Sequence, residues 1–180
     1  MVNTPHPEYV DNLDVWALCR NAAAGNRAVK NAGETYLPKL GGQTPDEYTA
    51  YKLRALYFNA TGRTVDTFQG MLFLKAPVEE IPSTLDSIKT DATLQGKSWL
   101  DYQKEVAQEV LKVGRAGTLI DWSKDESRAY LVRYSAEQIL NWKTRRIKGR
   151  TILALLVLTE KVCEDDAEEA DTEASPQPET

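Results

Sequence analysis

The stretch S98-WLDYQKEVAQEVLKV-G114-RAGTLIDWSKDESRAYLVR-Y134 contains a change of hydrophobic period that decides the fold class. Its first half predicts a helix capped by Ser98 and ended by Gly114, because apolar residues recur every three or four positions. They are Trp99, Tyr102, Val106, Val110 and Val113. The second half predicts a hairpin, since the β-prone runs 118–122 and 129–134 flank the polar loop 123–128. A helix followed by antiparallel strands indicates an α+β domain.

Upstream of this stretch the pattern is helical. Residues 7–31 predict one helix interrupted near Gly25. Thr44, Pro45 and Glu47 form a capping-box pattern, which predicts a helix from 45 to about 61. A further short helix is expected over 64–70, and the helix over 98–113 should pack through its apolar face on the strands at 118–134 and 151–159.

The helix predicted at 45–61 has apolar residues on more than one side. A lone surface helix needs only one apolar stripe, so this pattern indicates burial within an assembly. The residues assigned to a subunit interface are Tyr48, Tyr51, Leu53, Leu56, Tyr57 and Phe58.

Downstream of the hairpin, Ser135 and Gln138 form a second capping-box pattern that predicts a helix of about two turns through Trp142. Lys148 and Gly149 then mark a turn. The run 151–159 is apolar at successive positions, which is typical of a central strand. The expected architecture is therefore several helices packed on a small, mostly antiparallel sheet.

The net charge of -5 hides a division between a domain at 1–160 and an acidic segment at 161–180. Residues 160–180 hold nine acidic residues and one lysine, whereas residues 1–159 carry 21 basic and 18 acidic residues. The segment 161–180 has no aromatic residue and two prolines among acidic and small residues, so we expect it to be a disordered tail or a truncated loop.

Five cations within eight residues form the strongest basic cluster of the chain. They could contact a nucleic-acid backbone beside Trp142, or they could be solvated charges that keep a strand edge from associating. The solvated edge is favoured about two to one, since such charges are common on natural sheets. The cluster comprises Lys143, Arg145, Arg146, Lys148 and Arg150.

No pattern in the chain points to catalysis, a metal or a cofactor. The one histidine, His6, lies between two prolines near the start, where a solvated side chain is expected. The two cysteines are 144 positions apart, which excludes a zinc knuckle, and the longest apolar run is too short to cross a membrane. We therefore expect a protein without enzymatic activity, bound cofactor or membrane contact.

Five segments, in order, resemble the N-terminal region of tailed-phage portal proteins of the DUF4055 family. They are NTPHPEY at 3–9, AVKNAGETYLPKL at 28–40, YKLRALYFNATGRTVDTFQGMLFLKAP at 51–77, GRAGTLIDW at 114–122 and YLVRYSAEQILNWKTRRIKGRTILALLVLTE at 130–160. Each is moderately specific. Their order and spacing carry the resemblance over nearly all of 3–160.

The resemblance implies a structural subunit of a ring, a dodecamer in the full-length protein, that forms the capsid-vertex conduit for DNA packaging and ejection. Residues 1–160 would belong to the outer wing. The implied partners are identical subunits, double-stranded DNA, terminase, capsid and tail-connector proteins. The implied location is the virion, with host cytoplasm during assembly.

The resemblance covers only part of a portal chain. Portal proteins have stem and clip segments after the wing, and nothing in this sequence resembles those. We therefore expect a truncated reading frame, a gene fragment or a split gene.

Overall fold

The computed structural model describes residues 3–160, in which helices precede two β-hairpins. This order confirms the predicted α+β class. The helices are α1 (Pro7–Ala24), α2 (Asn26–Asn31), α3 (Pro45–Arg54), α4 (Ala60–Leu72), α5 (Ser87–Thr90) and α6 (Trp99–Val113). The strands are β1 (Ala116–Ser123), β2 (Arg128–Ser135), β3 (Ile139–Ile147) and β4 (Arg150–Leu158), with 3₁₀ turns at Gly33–Thr35, Ser83–Leu85 and Ala136–Gln138. The segment 161–180, predicted to be a disordered tail, lies outside the described residues.

Local capping sets where the longer helices begin and end. The Thr44 hydroxyl accepts from the backbone N–H of Glu47 at 3.3 Å, and the Glu47 carboxylate accepts from the Thr44 N–H at 2.8 Å. Ser98 accepts from the N–H of Asp101, and Gly114 ends α6 with φ of 76°. Gly25, with φ of 88°, separates α1 from α2 as predicted.

The helix predicted from 45 to about 61 is wrong beyond Arg54. Ala55 has ψ of 134°, and a new helix begins after Asn59, whose side chain accepts from the N–H of Gly62 at 2.8 Å. The Asn59 amide also donates to the Ala23 carbonyl at 2.9 Å. A cap and a contact with α1 therefore replace continued helical bonding, because Asn competes well for the start of a helix.

The helix predicted through Trp142 is also wrong. The Ser135 and Gln138 capping box exists, but it opens only the 3₁₀ turn Ala136–Gln138. From Ile139 the chain is the strand β3, which pairs with β4 in antiparallel register. Pairing with a strand that lies later in the chain overrides the local helix signal.

The strands form two separate two-stranded sheets, β1–β2 and β3–β4. The run 151–159 was expected to be a central strand, and this is wrong, because β4 has one partner and most of its side chains are exposed. The turn at Lys148 and Gly149 is confirmed by the positive φ of both residues.

The main apolar core lies where α6 meets α5 and the first hairpin. Tyr102 packs there with Ile88, Ala92 and Leu131, and its hydroxyl donates to the hydroxyl of Thr118 at 2.9 Å. Trp99 and Val106 pack against this cluster, as predicted for α6 and the strands at 118–134. Val110 was also expected to pack on these strands, and this is wrong, because its side chain is exposed. The segment 151–159 was predicted to pack on α6, and this is wrong. The main contacts of β4 are with β3, and β3 in turn lies on α1.

Candidate interaction surfaces

Three of the six predicted interface residues are strongly exposed apolar side chains. Leu53 is 73% exposed, Leu56 90% and Phe58 71%. They lie at the end of α3 and in the extended segment that leads to α4. Exposed leucines are ordinary singly, but three within six positions form a patch of the kind that marks a binding surface.

The three tyrosines of the predicted interface are instead half-buried within the subunit. Tyr48 donates its hydroxyl to the Leu37 carbonyl at 2.9 Å, and its ring lies beside that of Tyr51. Tyr57 donates its hydroxyl to the Ala22 carbonyl, and its backbone N–H donates to the Asn26 side chain. These tyrosines hold α3 and the segment after it against α1 and α2, so they support the exposed patch.

A largely apolar groove opens beside Leu56, with a cavity of about 300 Å³. Lys30 is the one charged lining residue, and its ammonium donates to the Leu53 carbonyl at 2.8 Å. The lining consists of Leu18, Ala22, Asn26, Val29, Lys30, Tyr36, Leu37, Ala55, Leu56 and Tyr57. We call Leu53, Leu56, Phe58 and this groove the α3–α4 patch.

Other exposed apolar residues were not assigned to an interface from the sequence. Val10 and Leu13 lie on the outer side of α1, while Trp16 is its buried residue. Phe68, Met71 and Leu72 are exposed on α4. Within residues 3–160, 22 large apolar residues are exposed and nine apolar residues are buried, so much of the apolar surface has no partner inside the subunit.

The five residues of the basic cluster lie on the distal half of the β3–β4 hairpin, and all five are exposed. Lys143 and Arg145 share one face because they are two positions apart in β3. Arg150 lies on that face too, since it pairs with Ile147. Arg146 is on the opposite face, and Lys148 occupies the turn.

Within residues 3–160 none of the five cations has an ion-pair partner. The face that holds Lys143, Arg145 and Arg150 also presents Ile152, which pairs with Arg145. We call this the cationic face. It can attract polyanions, because the described residues form no ion pair with its cations.

Trp142, the aromatic residue next to the basic cluster, is already engaged at the base of the hairpin. The His6 ring stacks on it with centroids 3.8 Å apart, and the Arg115 guanidinium lies 3.9 Å from its ring centroid. Two groups this close to one centroid must occupy opposite faces. Base stacking on Trp142, one part of the nucleic-acid hypothesis, is therefore blocked in this conformation.

The expectation of a solvated His6 is wrong. Its backbone N–H donates to the Leu140 carbonyl at 3.0 Å, and its ring Nδ1 accepts from the N–H of Glu8 at 3.2 Å. His6 thus caps α1 and ties the beginning of the chain to β3.

An ion-pair cluster around Arg20 joins α1, α6 and the 3₁₀ turn before β3. The guanidinium donates from Nε to Glu137 at 2.5 Å and from Nη1 to Glu109 at 3.1 Å. These hydrogen bonds raise the pKa of Arg20 above its usual range, and the bond from Arg20 lowers the pKa of Glu137. Every strong donor of the cluster is directed at a protein carboxylate, so the arrangement is structural.

A cleft between the two hairpins holds two tyrosines beside acidic side chains. Tyr130 donates to Asp121 at 2.9 Å, and Tyr134 donates to Glu160. The hydrogen bond to Glu160 raises the pKa of Tyr134 to about 12. Within residues 3–160 no three His, Cys, Asp or Glu side chains are placed to share a metal ion. No helix in that range is long and apolar enough to span a bilayer.

No family model matches this chain, and no curated protein matches it either.

Proposed function

We propose that this chain is a structural subunit that assembles with identical copies, as the wing-like part of a tailed-phage portal ring. The observation that carries the proposal is the α3–α4 patch, in which Leu53, Leu56 and Phe58 are exposed beside an apolar groove. The resemblance over 3–160 supplies the kind of assembly.

The energetics favour burial of this patch against another chain. Moving one leucine or phenylalanine side chain from water into an apolar contact contributes about 1.5–3 kcal/mol. A closed ring requires two different surfaces on each subunit, because its contacts are heterologous. The outer side of α1, with Val10 and Leu13, and the end of α4 are further apolar surfaces available for the second contact.

In this proposal the ring forms the conduit through which DNA enters and leaves a capsid, and the subunit has no catalytic step to perform. Terminase, capsid and tail-connector proteins would be its other partners. The protein would act in the virion and, during assembly, in the host cytoplasm. The DNA-facing residues belong to the ring as a whole.

Replacement of Leu53, Leu56 and Phe58 by serine should abolish self-association, because it removes the apolar area that the contact would bury. Native mass spectrometry should show self-association of the wild-type chain at high concentration, and the triple variant should be monomeric. A matched control replaces Val78, Ile120 and Leu153, which are also exposed but lie outside the patch, α1 and α4, and should still assemble. A wild-type chain that stays monomeric at high concentration contradicts the proposal.

A second candidate function is nucleic-acid binding by the β3–β4 hairpin. The observation that favours it is the set of five exposed cations without an ion-pair partner in residues 3–160. Such cations bind phosphates through release of condensed counterions, without need for an aromatic contact.

Replacing Lys143, Arg145, Arg146, Lys148 and Arg150 by serine should abolish binding to a DNA duplex. Any residual binding should show a log–log salt slope flatter by up to about 4.5 units, since each of the five phosphate contacts contributes about 0.9. Filter binding over a salt series measures this. The control replaces Arg27, Lys39, Arg54, Lys75 and Lys124, which are also exposed, and should keep the slope. Equal loss in both variants, or no binding by the wild type, dismisses this function.

A further inference from the structure

The cationic face of the β3–β4 hairpin lacks a counter-charge in the described residues, and the chain supplies one immediately downstream. Residues 164–173 contain seven acidic residues in ten positions. No cation lies among them. The acidic run is therefore dense in the charge that the hairpin lacks, and it is close to the hairpin in the chain. These two properties make it the most available partner for the hairpin.

The length of the connection suits this pairing. β4 runs from the turn at Arg150 to Leu158 at the base of the hairpin, a distance of about 26 Å at the rise of a strand. Thr159 and Glu160 are held at the base of the hairpin by Gln138 and Tyr134, so residues 161–163 leave three positions for a reversal, within the usual range for antiparallel connections. The ten residues that follow can reach about 33 Å, so they can run back along the whole of β4.

The composition of the run defines the kind of contact. Asp, Glu and Ala are poor strand formers, so 164–173 is not suited to add a strand to the edge of β4. Carboxylates are instead suited to pair with Lys143, Arg145 and Arg150 through side-chain ion pairs. An intramolecular partner acts at an effective concentration in the millimolar range, which favours it over dilute competitors.

We infer that the acidic run 164–173 docks on the cationic face of the β3–β4 hairpin of the same chain and screens it from other polyanions. The inference is independent of ring assembly. It also limits the second candidate function, because a nucleic acid would have to displace the run. If the hairpin is uncovered for about a tenth of the time, its apparent affinity for DNA falls tenfold.

Zero-length carbodiimide crosslinking of the full chain tests the contact directly. Lys143 and Lys148 should become linked to carboxylates within 164–173, and the links should disappear near 1 M salt, where charges are screened beyond about 3 Å. Lys39 and Lys124, which are exposed elsewhere, serve as internal controls. Equal linkage of the control lysines, or no linkage of the hairpin lysines, overturns the inference. Crosslinking a mixture of ¹⁴N-labelled and ¹⁵N-labelled copies distinguishes links within one chain from links between two chains. If all links join different copies, the contact within the same chain is overturned.

A pair of charge variants of the full chain tests the screening. One variant carries Glu→Gln and Asp→Asn at the seven acidic positions of 164–173. Its control changes seven exposed acids elsewhere, so both gain the same net charge; these are Asp11, Asp14, Glu34, Asp66, Glu79, Glu80 and Asp125. A 20-base-pair DNA duplex at about 50 mM salt should bind the first variant about tenfold more tightly than the control. Equal affinity, including no binding by either, overturns the inference.

Discussion

Replacement of Tyr102 by alanine should lower the free energy of unfolding by about 3–5 kcal/mol, the range found for large aromatic deletions in cores. Tyr102 is 3% exposed and packs with Ile88, Ala92 and Leu131, which come from α5, the segment after it and β2. Its loss would leave a cavity where three parts of the chain meet. The midpoint of urea unfolding should fall with little change in slope.

Tyr102→Phe is the matched control, because it keeps the ring and removes only the hydrogen bond to Thr118. It should lower the free energy of unfolding by about 0.5–1.5 kcal/mol. Trp99→Ala should be milder than Tyr102→Ala, because Trp99 is half-buried and stacks on Tyr102 from the rim of the cluster. A loss for Tyr102→Ala no larger than that for Tyr102→Phe would contradict the placement of this core.

Replacement of Arg20 by methionine should destabilise the fold by about 1–3 kcal/mol, because it leaves the largely buried carboxylate of Glu109 without its main partner, although the Arg20 side chain is itself 32% exposed. Glu109 is 7% exposed, and its carboxylate would lose the guanidinium that binds it. Arg133 is the nearest remaining cation, with 3.8 Å between its Nη1 and the Glu109 carboxylate. The helices α1 and α6 would lose their common polar contact.

A double-mutant cycle separates the charge effect from lost packing. Arg20→Met with Glu109→Gln should be more stable than Arg20→Met alone, since the buried charge is removed as well. If the second substitution brings no recovery, the ion pair is not the cause. Denaturant unfolding of the four proteins at neutral pH provides the comparison.

The same cluster predicts an acid dependence. The hydrogen bond from Arg20 lowers the pKa of Glu137 below its usual value of 4.5. A depressed pKa contributes stability that is present above pH 4.5 and is lost as the pH falls through the folded-state value. This loss should be smaller in Arg20→Met, in which only the backbone and Ser135 hydrogen bonds still lower the pKa of Glu137, so the stability difference between wild type and variant should narrow below pH 4.5.

The boundaries predicted well are those that local chemistry determines. Thr44 with Glu47, Ser98 and Gly114 supply caps within four residues of the backbone groups they satisfy, so the starts of α3 and α6 and the end of α6 follow from the sequence. The β1–β2 hairpin is confirmed for the same reason, since its strands are joined by a short polar loop.

The wrong boundaries are those at which a distant partner wins. Ser135 and Gln138 form the predicted box, yet Ile139 pairs with Leu158 and the chain becomes a strand. The helix over 45–61 breaks because Asn59 bonds to α1 and caps α4. Leu158 and Ala23, the carbonyl partner of Asn59 in α1, are both far away in the chain, so a local pattern has no means of indicating them, whereas the cap of Asn59 on Gly62 is a local signal.

The features of the candidate surfaces also divide into those that the sequence shows and those that only the folded chain shows. The sequence shows the basic cluster as a concentration of positive charge. It also shows that Leu53, Leu56 and Phe58 are apolar residues beyond those that a single helical stripe needs. The stacking of His6 and Arg115 on Trp142, and the binding of Glu109 by Arg20 from 89 positions away, required the folded chain. The stacking decides that both faces of Trp142 are occupied, and the hydrogen bonds of Tyr48 to Leu37 and of Tyr57 to Ala22 decide that these two tyrosines support the subunit itself.

The amino-acid sequence alone therefore determined the α+β class, the capped helix starts and the concentration of positive charge at 143–150, because each depends on residues close together in the chain. Only the tertiary structure decided where α3 ends, that β3 replaces a helix, and which apolar side chains remain exposed. Those outcomes depend on contacts between residues far apart in sequence, whose energies outweigh local preferences.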